Sequence, residues 1–441
     1  MKQQFIDRSR IELDPVGQFY AATISDACPG TFRVSARLKE NVNREALQKA
    51  VHDLIRRLPF LGGHLHSGLF RYYNKIHAPP LQIEPERDIP AFGSCHKKGR
   101  DRLLRVLYGE RSFTIETTHI VCDGRSLARI MTALLARYFE LLGATIDKSE
   151  IIDCSGTMRD EETENAFARH VSAMQPKEAK DVFIRYAAQN ASKPAAYRFG
   201  LSRPAASRII SKRFDAAKIK AAAREQGVTV SEFILAHIFK AIAEERKGSG
   251  RAEPIAAMLP VDYRTFFPSE TLTNFAMGKA ILMPETDGFS ETLRQIKPQF
   301  NEINAAWASA GIVGFAKVTS FLRFIPLPIK KRLLKSMKRS AAAGQTTTFS
   351  NLGLVTLPAE IEARLEAFEF AFCPDTEQEP YTFACVTVGG TLVLTAAVGI
   401  EGADTADKLM LAVEEQLETK DPDTGKPQPE TPQAAVFSLD G

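Results

Sequence analysis

Apolar residues recur with the periods of strands and helices through the first third of the chain. Alternation predicts a strand over 31–38, and an apolar stripe at helical spacing predicts a helix over 43–58. A second amphipathic helix is predicted over 126–142, and the residues before position 31 are predicted to form a loop. Short strands bounded by turn residues are predicted over 64–73, 103–108 and 112–119.

The C-terminal half repeats this mixture of strands and helices. Strands are predicted over 207–214, 255–260, 279–283, 346–350, 367–373, 381–388 and 391–400. Helices are predicted over 215–225, 232–246, 289–306 and 405–419. The pattern therefore predicts an α/β protein of the α+β type with two lobes.

Composition shifts divide the chain into four parts. We predict an N-terminal lobe over 1–160, a polar connecting segment over 161–205 and a C-terminal lobe over 206–419. The stretch 420–441 is rich in proline and aspartate and is predicted to be a flexible tail.

The composition is that of a globular protein, with 44% hydrophobic and 25% charged residues among 441. No apolar run reaches the length of a membrane-spanning helix, and no secretory signal is visible, so we expect a cytoplasmic protein. The cysteines form no CxxC pair, which is typical of reduced thiols and gives no metal site. They are Cys28, Cys95, Cys122, Cys154, Cys373 and Cys385.

Charge is distributed unevenly, although a net charge of +4 is too small to indicate a nucleic-acid partner. Residues 303–359 contain no acidic residue but eight basic ones, so the rest of the chain carries −4. Such a segment favours an anionic partner. Its basic residues are Lys317, Arg323, Lys330, Lys331, Arg332, Lys335, Lys338 and Arg339.

Candidate chemistry lies where the strand predicted over 112–119 meets the next helix. His119, Asp123 and Gly124 form an H-x-x-x-D-G pattern there. A histidine fixed by a strand and exposed by a loop can act as a general base near neutral pH. The pattern alone is weak, because a single histidine is more often structural than catalytic.

Four segments together resemble the chloramphenicol-acetyltransferase-like superfamily, which includes peptide-synthetase condensation domains and alcohol acetyltransferase-like proteins. They are THIVCDGRS, RIELDPVGQFY, LPVDYRTFFPSETLTNFAMG and TFSNLGLVTLP, in positions 118–126, 10–20, 259–278 and 348–358. The resemblance implies two pseudo-symmetric lobes with mixed sheets and a tunnel between them.

The resemblance also implies an activity and a set of roles. His119 would deprotonate an alcohol or amine acceptor as it attacks an acyl thioester, and Gly124 would keep the motif loop close to the donor. Asp123 would be structural and would pair with Arg264. No tightly bound cofactor is implied, since acyl-coenzyme A or an acyl-phosphopantetheine would serve as co-substrate.

Two features leave alternatives open. Many relatives carry two adjacent histidines, whereas Thr118 precedes His119 here. Ser350 and Asn351 are candidate oxyanion donors lining the tunnel, but the same segment is equally consistent with a turn that ends a strand.

The basic segment allows several interpretations. Lys330, Lys331, Lys335 and Lys338 lie among apolar residues at helical spacing, so they are candidates for binding coenzyme A phosphates, an acidic acyl carrier protein or an anionic membrane surface. The alternative is a solvated helix that packs on its own lobe.

We therefore expect an acyltransferase of small-molecule acceptors in secondary metabolism. The sequence shows no carrier domain, which favours acyl-coenzyme A as the donor, with a carrier protein in trans as the alternative. A non-catalytic relative that binds a partner or a membrane is the other alternative.

Overall fold

The computed structural model describes residues 10–76, 81–86, 92, 102–172, 174, 195–200, 207–247, 250, 252–283, 288–375, 378–400 and 404–418. The predicted tail over 420–441, Cys95 and part of the predicted connecting segment over 161–205 lie outside these residues.

Fourteen strands and eleven helices occur in this part of the chain. The strands are β1 Arg10–Glu12, β2 Thr31–Leu38, β3 Gly63–Ser67, β4 Tyr72–Ile76, β5 Ile83–Pro85, β6 Leu104–Tyr108, β7 Ser112–Thr118, β8 Arg208–Asp215, β9 Ile255–Asp262, β10 Ala276–Met283, β11 Thr347–Leu354, β12 Leu365–Phe372, β13 Tyr381–Val388 and β14 Thr391–Val398. The helices are α1 Pro15–Thr23, α2 Arg44–Arg57, α3 Gly124–Leu141, α4 Ala166–Ser172, α5 Ala216–Glu225, α6 Val230–Lys247, α7 Phe289–Asn301, α8 Ala305–Leu322, α9 Leu327–Ala343, α10 Ala359–Glu362 and α11 Thr405–Glu418.

The first lobe is built on a five-stranded mixed sheet with the order β12-β2-β7-β6-β5. Its central strands β2 and β7 are buried along nearly their whole length, and helices α2 and α3 pack together over one face. Leu47, Val51 and Leu54 form the buried stripe of α2 that the helical spacing predicted. A small antiparallel sheet, β1-β4-β3, lies beside this lobe.

The second lobe is built on a six-stranded mixed sheet with the order β10-β9-β11-β13-β14-β8. Strand β11 runs parallel to both of its neighbours, whereas the other pairings are antiparallel. Helices α6, α7 and α11 cover one face and contribute to a second hydrophobic core. The predicted fold class, α+β with two lobes and mixed sheets, is confirmed.

Strand β12 connects the two lobes. Its residues fall in the predicted second lobe, but it pairs antiparallel with β2 at the edge of the first sheet, with Phe372 opposite Phe32. The hydroxyls of Thr382 and Thr395 in the second sheet donate to the carbonyls of Phe372 and Phe370. The backbone of β12 therefore pairs with a strand of the first lobe and accepts hydrogen bonds from threonine side chains of the second.

The sequence predictions around α1 and α8 also differ from the structure. The predicted loop before residue 31 contains β1 and α1, and α1 begins at Pro15 because Asp14 accepts from the amides of Val16 and Gly17. The helix predicted over 289–306 ends at Asn301, since Asn304 caps a separate helix, α8. Neither helix has a strong amphipathic stripe or charge pattern that reveals its start.

Helix α8 is long and apolar enough to cross a membrane, with a mean hydropathy of 1.3 over Ala305–Leu322. Part of it is nevertheless buried in the protein, where Ala308 and Ile312 pack in a cluster with Phe167, Tyr263 and Phe275. A Cβ atom on Gly311 would lie 2.2 Å from the Tyr263 hydroxyl oxygen, so this helix approaches the second lobe closely.

Candidate active site

A cavity of about 1200 Å³ lies between the lobes. Residues of α1, β2 and the H-x-x-x-D-G turn line it from the first lobe, and residues of β9, β10, β11, α8 and α9 line it from the rest of the chain. A space of this size accommodates an organic ligand well beyond the size of an amino acid. The tunnel expected from the resemblance thus corresponds to a cavity in the structure.

His119 stands in the wall of this cavity, directly after β7. Strand β7 is held on both sides by β2 and β6, and the His119 amide donates to the Gly30 carbonyl at 3.3 Å. A turn closed by the Val121 amide and the Thr118 carbonyl, 2.9 Å apart, then leads into α3. The backbone of the histidine is therefore fixed by a paired strand and a tight turn.

Asn274 determines the hydrogen-bonding state of the His119 ring. Its Nδ2 donates to the His119 carbonyl at 2.9 Å and to Asp14 Oδ2 at 2.8 Å, so both amide hydrogens are used. Its Oδ1 therefore faces His119 Nδ1, 3.1 Å away, as an acceptor. With the hydrogen on Nδ1, the lone pair of the neutral ring lies on Nε2.

Two aromatic rings enclose the imidazole. Tyr20 stacks on it with centroids 4.7 Å apart and an angle of 24°, and the Phe32 ring lies 4.6 Å away. Burial lowers the pKa of His119, although the Asn274 hydrogen bond and the charge of Asp123 act against that effect. The ring is consequently neutral at pH 7 and able to accept a proton.

Asp123 caps α3 and is occupied by structural contacts. Its Oδ1 accepts from the Ser126 amide at 2.9 Å, and its Oδ2 accepts from the Phe275 amide and from Arg264 Nη1, both at 2.8 Å. Burial raises the pKa of this carboxyl, but the Arg264 charge and the backbone donors outweigh burial and hold it below its usual value. Asp123 is therefore an ionised bracing residue.

Arg264 bridges the motif helix and the second lobe. Besides Asp123, its guanidinium donates to Asp262 at 2.9 Å, to the Ser126 hydroxyl at 3.0 Å and to the carbonyls of Thr271 and Thr273 at 2.9 Å. Burial lowers the pKa of Arg264, but the two carboxylates raise it more. The structure thus places Arg264 against Asp123, where the resemblance located it.

Gly124 permits a close approach between α3 and the second lobe. A Cβ atom there would lie 2.9 Å from Phe370 Cζ and 3.2 Å from Leu352 Cδ2. Because both neighbours are buried, they have little freedom to move away. The glycine therefore keeps the motif turn next to β11 and β12.

Ser350 and Asn351 lie in β11 and line the cavity. The Asn351 side chain accepts from the Gly353 amide at 2.7 Å and donates to the Ser231 hydroxyl at 2.9 Å, which is the turn-forming arrangement. Ser350 is buried, and it remains the candidate oxyanion donor of the two. Gly353 has a φ of 71°, a left-handed conformation that glycine adopts without strain.

The four candidate lysines of α9 divide into two pairs. Lys330 and Lys338 line the cavity, where Lys330 Nζ donates to the Phe70 carbonyl at 2.6 Å and Lys338 Nζ lies 3.5 Å from Asp375. Lys331 is exposed and Lys335 half-buried, and neither reaches the cavity wall. The lysines therefore do not form one cationic pocket.

Sequence reasoning missed several residues of the cavity wall. Asn274, Asp14 and Tyr20 all lie in segments that carried the resemblance, but nothing in their spacing places them beside His119.

Burial raises the pKa of Asp14 to about 6, although its hydrogen-bond donors act against this shift. Burial raises the pKa of Glu379 to about 8, and this residue accepts from Gln345 Nε2 at 2.7 Å.

The potential ligands His64 and His66 lie in β3, and no group of three or more histidine, cysteine or acidic side chains occurs in the described part of the chain. The structure thus offers no candidate metal site among these residues.

Comparison with known proteins gives structural relatives only. No protein-family model and no curated protein matches the sequence. The structure is similar to trichothecene 15-O-acetyltransferase of Fusarium sporotrichioides, with a TM-score of 0.61, 12% identity and coverage of 94% of this chain and 96% of that one. It is also similar to the first condensation domain of the CDA synthetase, with a TM-score of 0.60, 12% identity and coverage of 93% and 94%.

A third similar structure is polyketide synthase associated protein 5 from Mycobacterium tuberculosis. The TM-score is 0.57 at 14% identity, and the match covers 91% of this chain and 96% of that one. These matches span both lobes, so they concern the whole two-lobed arrangement and not a single sheet. The chain therefore has the two-lobed fold of this acetyltransferase and this condensation domain.

Proposed function

We propose that the protein is an acyltransferase that moves an acyl group from a pantetheine thioester to a hydroxyl or amine, with His119 as general base. The observation that carries this proposal is the Asn274 hydrogen bond, which leaves His119 Nε2 as a proton acceptor in a cavity between the lobes. The acetyltransferase and condensation domains of the same fold are consistent with this class of reaction.

The proposed reaction is a single acyl transfer assisted by His119. His119 Nε2 takes the proton of the acceptor as its oxygen or nitrogen attacks the thioester carbonyl, and the new bond forms in a tetrahedral oxyanion intermediate. Ser350 is the candidate donor to that oxyanion. The C–S bond then breaks, and His119 returns the proton to the leaving thiolate, so the histidine ends unchanged.

The cavity wall supports two kinds of contact for the substrates. Leu322 and Leu334 offer apolar surface for an acyl chain, whereas Gln345, Asp375 and Glu379 form a polar group suited to an acceptor with its own hydrogen-bonding atoms. Acyl-coenzyme A and an acylated carrier protein present the same pantetheine arm. We take acyl-coenzyme A as the first donor to test and the carrier as the alternative.

The test is thiol release from acyl-coenzyme A thioesters of increasing chain length, measured with and without a panel of alcohols and amines. An acylated carrier protein forms a parallel arm that separates the two donors. If the proposal is right, His119→Ala lowers the acceptor-dependent rate by roughly 10²–10⁴-fold and leaves the fold intact. His52→Ala, a histidine in α2 outside the cavity, is the matched control and should retain full activity.

The pH dependence provides a second readout. Because burial lowers the pKa of His119, the imidazole should stay neutral down to pH values below 6.5, and the rate should fall only under that point. An unchanged rate in folded His119→Ala would refute the mechanism. No thiol release from any donor by the native protein would favour a non-catalytic binding role instead.

A further inference from the structure

Large apolar side chains are exposed together where α8 ends and α9 begins. Seven of them are between 39% and 71% exposed, which is unusual for aromatic and long aliphatic side chains in one area. We call them, with the cations beside them, the α8–α9 surface. The apolar members are Leu69, Phe70, Phe321, Phe324, Ile329, Leu333 and Met337.

Hydrogen bonds join the two hairpin residues of this surface, Leu69 and Phe70, to α9. The tip of the β3–β4 hairpin is tied to the start of α9, because the Leu327 amide donates to the Leu69 carbonyl at 2.9 Å. The buried Lys330 ammonium donates to the Phe70 carbonyl from the same helix. The hairpin tip therefore cannot move independently of α9.

Cations occupy the same surface. The Arg323 guanidinium lies over the Phe324 ring, 4.5 Å from its centroid. Along α9, Ile329, Leu333 and Met337 repeat every four residues, and the exposed Arg332 and Arg339 lie two turns apart on a neighbouring stripe. Since residues 303–359 contain no acidic residue, no carboxylate on these two helices neutralises the stripe.

Two lysines of α9 do not contribute to the exposed charge. Lys330 and Lys338 use their charges inside the protein, on the Phe70 carbonyl and on Asp375. The cations left outside are those interspersed with large apolar side chains. A helix with this mixture is typical of a segment that lies in the interface of an anionic membrane. An acidic protein or the phosphates of coenzyme A would use the cations but leave the apolar residues in water.

The cavity reaches this surface. Arg323 and Met337 are exposed members of the surface and also line the cavity, together with the buried Leu322 and Leu334. We propose that the α8–α9 surface docks on an anionic lipid bilayer and thereby turns this mouth of the cavity toward the lipid. A substrate with a long acyl chain could then pass between bilayer and cavity without crossing water.

The test is flotation or co-sedimentation of the full chain with vesicles of phosphatidylcholine, alone or mixed with phosphatidylglycerol. We expect association with the anionic vesicles only, weakened by salt as charge screening increases. The triple variant Arg323→Gln, Arg332→Gln, Arg339→Gln should lose roughly 100-fold in partitioning, at about fivefold for each removed charge. The triple variant Phe321→Ser, Phe324→Ser, Ile329→Ser should lose at least about tenfold.

Matched controls use exposed residues outside the surface. The double variant Leu354→Ser, Leu411→Ser controls for the loss of exposed apolar side chains. The double variant Arg294→Gln, Lys408→Gln controls for the loss of positive charge. Each double variant should bind vesicles like the native protein. If a triple variant fails to fold, single Phe321→Ser still tests the surface, because that side chain is 71% exposed.

Several results would overturn the proposal. The proposal is wrong if the native protein does not bind anionic vesicles, if both triple variants bind like the native protein, or if the control variants lose as much vesicle binding as the triple variants. Retained vesicle binding with a raised KM for acyl-coenzyme A in the charge variant would assign the cations to the donor. Capture by an acidic carrier protein without vesicle binding would assign them to a protein partner. Release from vesicles only by detergent would indicate that α8 spans the bilayer.

Discussion

Replacing Asp123 with alanine should destabilise the protein by about 3–5 kcal/mol. Asp123 is 3% exposed, and the substitution removes the hydrogen-bond partner of three other groups. The Ser126 amide loses its helix cap, worth about 1 kcal/mol, and the buried Phe275 amide loses its acceptor, worth about 1–3 kcal/mol. Arg264 keeps Asp262 as a partner, which places the expected loss near the lower end of the range.

Urea unfolding at pH 7 measures this loss as a lower midpoint with an unchanged slope. Asp262→Ala is the matched control, because Asp262 contacts the same guanidinium but its side chain is 28% exposed. We expect that control to cost no more than about 1 kcal/mol, as for ion pairs that remain partly in water. In an Arg264→Leu background, Asp123→Ala should cost clearly less than it does alone, since the two residues share one interaction.

The pH dependence gives the sign of the electrostatic part. Because the folded-state pKa of Asp123 is below its ordinary value, its ionised form stabilises the fold above the unfolded pKa of about 3.9. This stabilisation is lost as the pH falls through the folded-state pKa, so native and Asp123→Ala proteins should converge in stability in that acidic range. An Asp123→Ala protein with native stability but reduced turnover would refute the bracing role and place Asp123 in the chemistry.

Two further substitutions probe the neighbours of the motif. Gly124→Ala should lower the free energy of unfolding by about 1–3 kcal/mol and reduce the rate, because its Cβ atom would clash with Phe370. Thermal melting measures the stability and steady-state kinetics measure the rate. A variant with native stability and rate would contradict the close approach. Asn274→Ala should reduce kcat and move the acidic limb of the rate profile to lower pH, since the Asn274 hydrogen bond raises the pKa of His119. A reduced kcat with an unmoved limb would mean that Asn274 has only a packing role.

The sequence predicted local structure best where one face of an element is buried. Strands β2 and β13 have the predicted bounds, because alternation along a half-buried or central strand is a strong local signal. The position of His119 at the end of β7 follows from the same signal. Helix α1 was missed because its nine residues have only a cap, Asp14 followed by Pro15, and no amphipathic stripe.

Contacts between distant segments could not be predicted from spacing. Asn274 lies just before β10, 155 residues from His119 in the sequence. The packing of the two lobes places it beside the imidazole ring. The pairing of β12 with β2 is another such contact, since alternation shows that a strand has a buried face but not which sheet it joins. The resemblance supplied the Asp123–Arg264 pair because family motifs encode contacts that periodicity does not.

The position before His119 illustrates how such long-range contacts change an interpretation. Many relatives have two adjacent histidines, whereas Thr118 stands in the place of the first one here. In the structure the Thr118 hydroxyl accepts from the Ile120 amide at 3.4 Å, while Asn274 holds Nδ1 and Tyr20 and Phe32 hold the ring faces. Because none of these ring contacts involves residue 118, the tautomer with its lone pair on Nε2 does not depend on a second histidine.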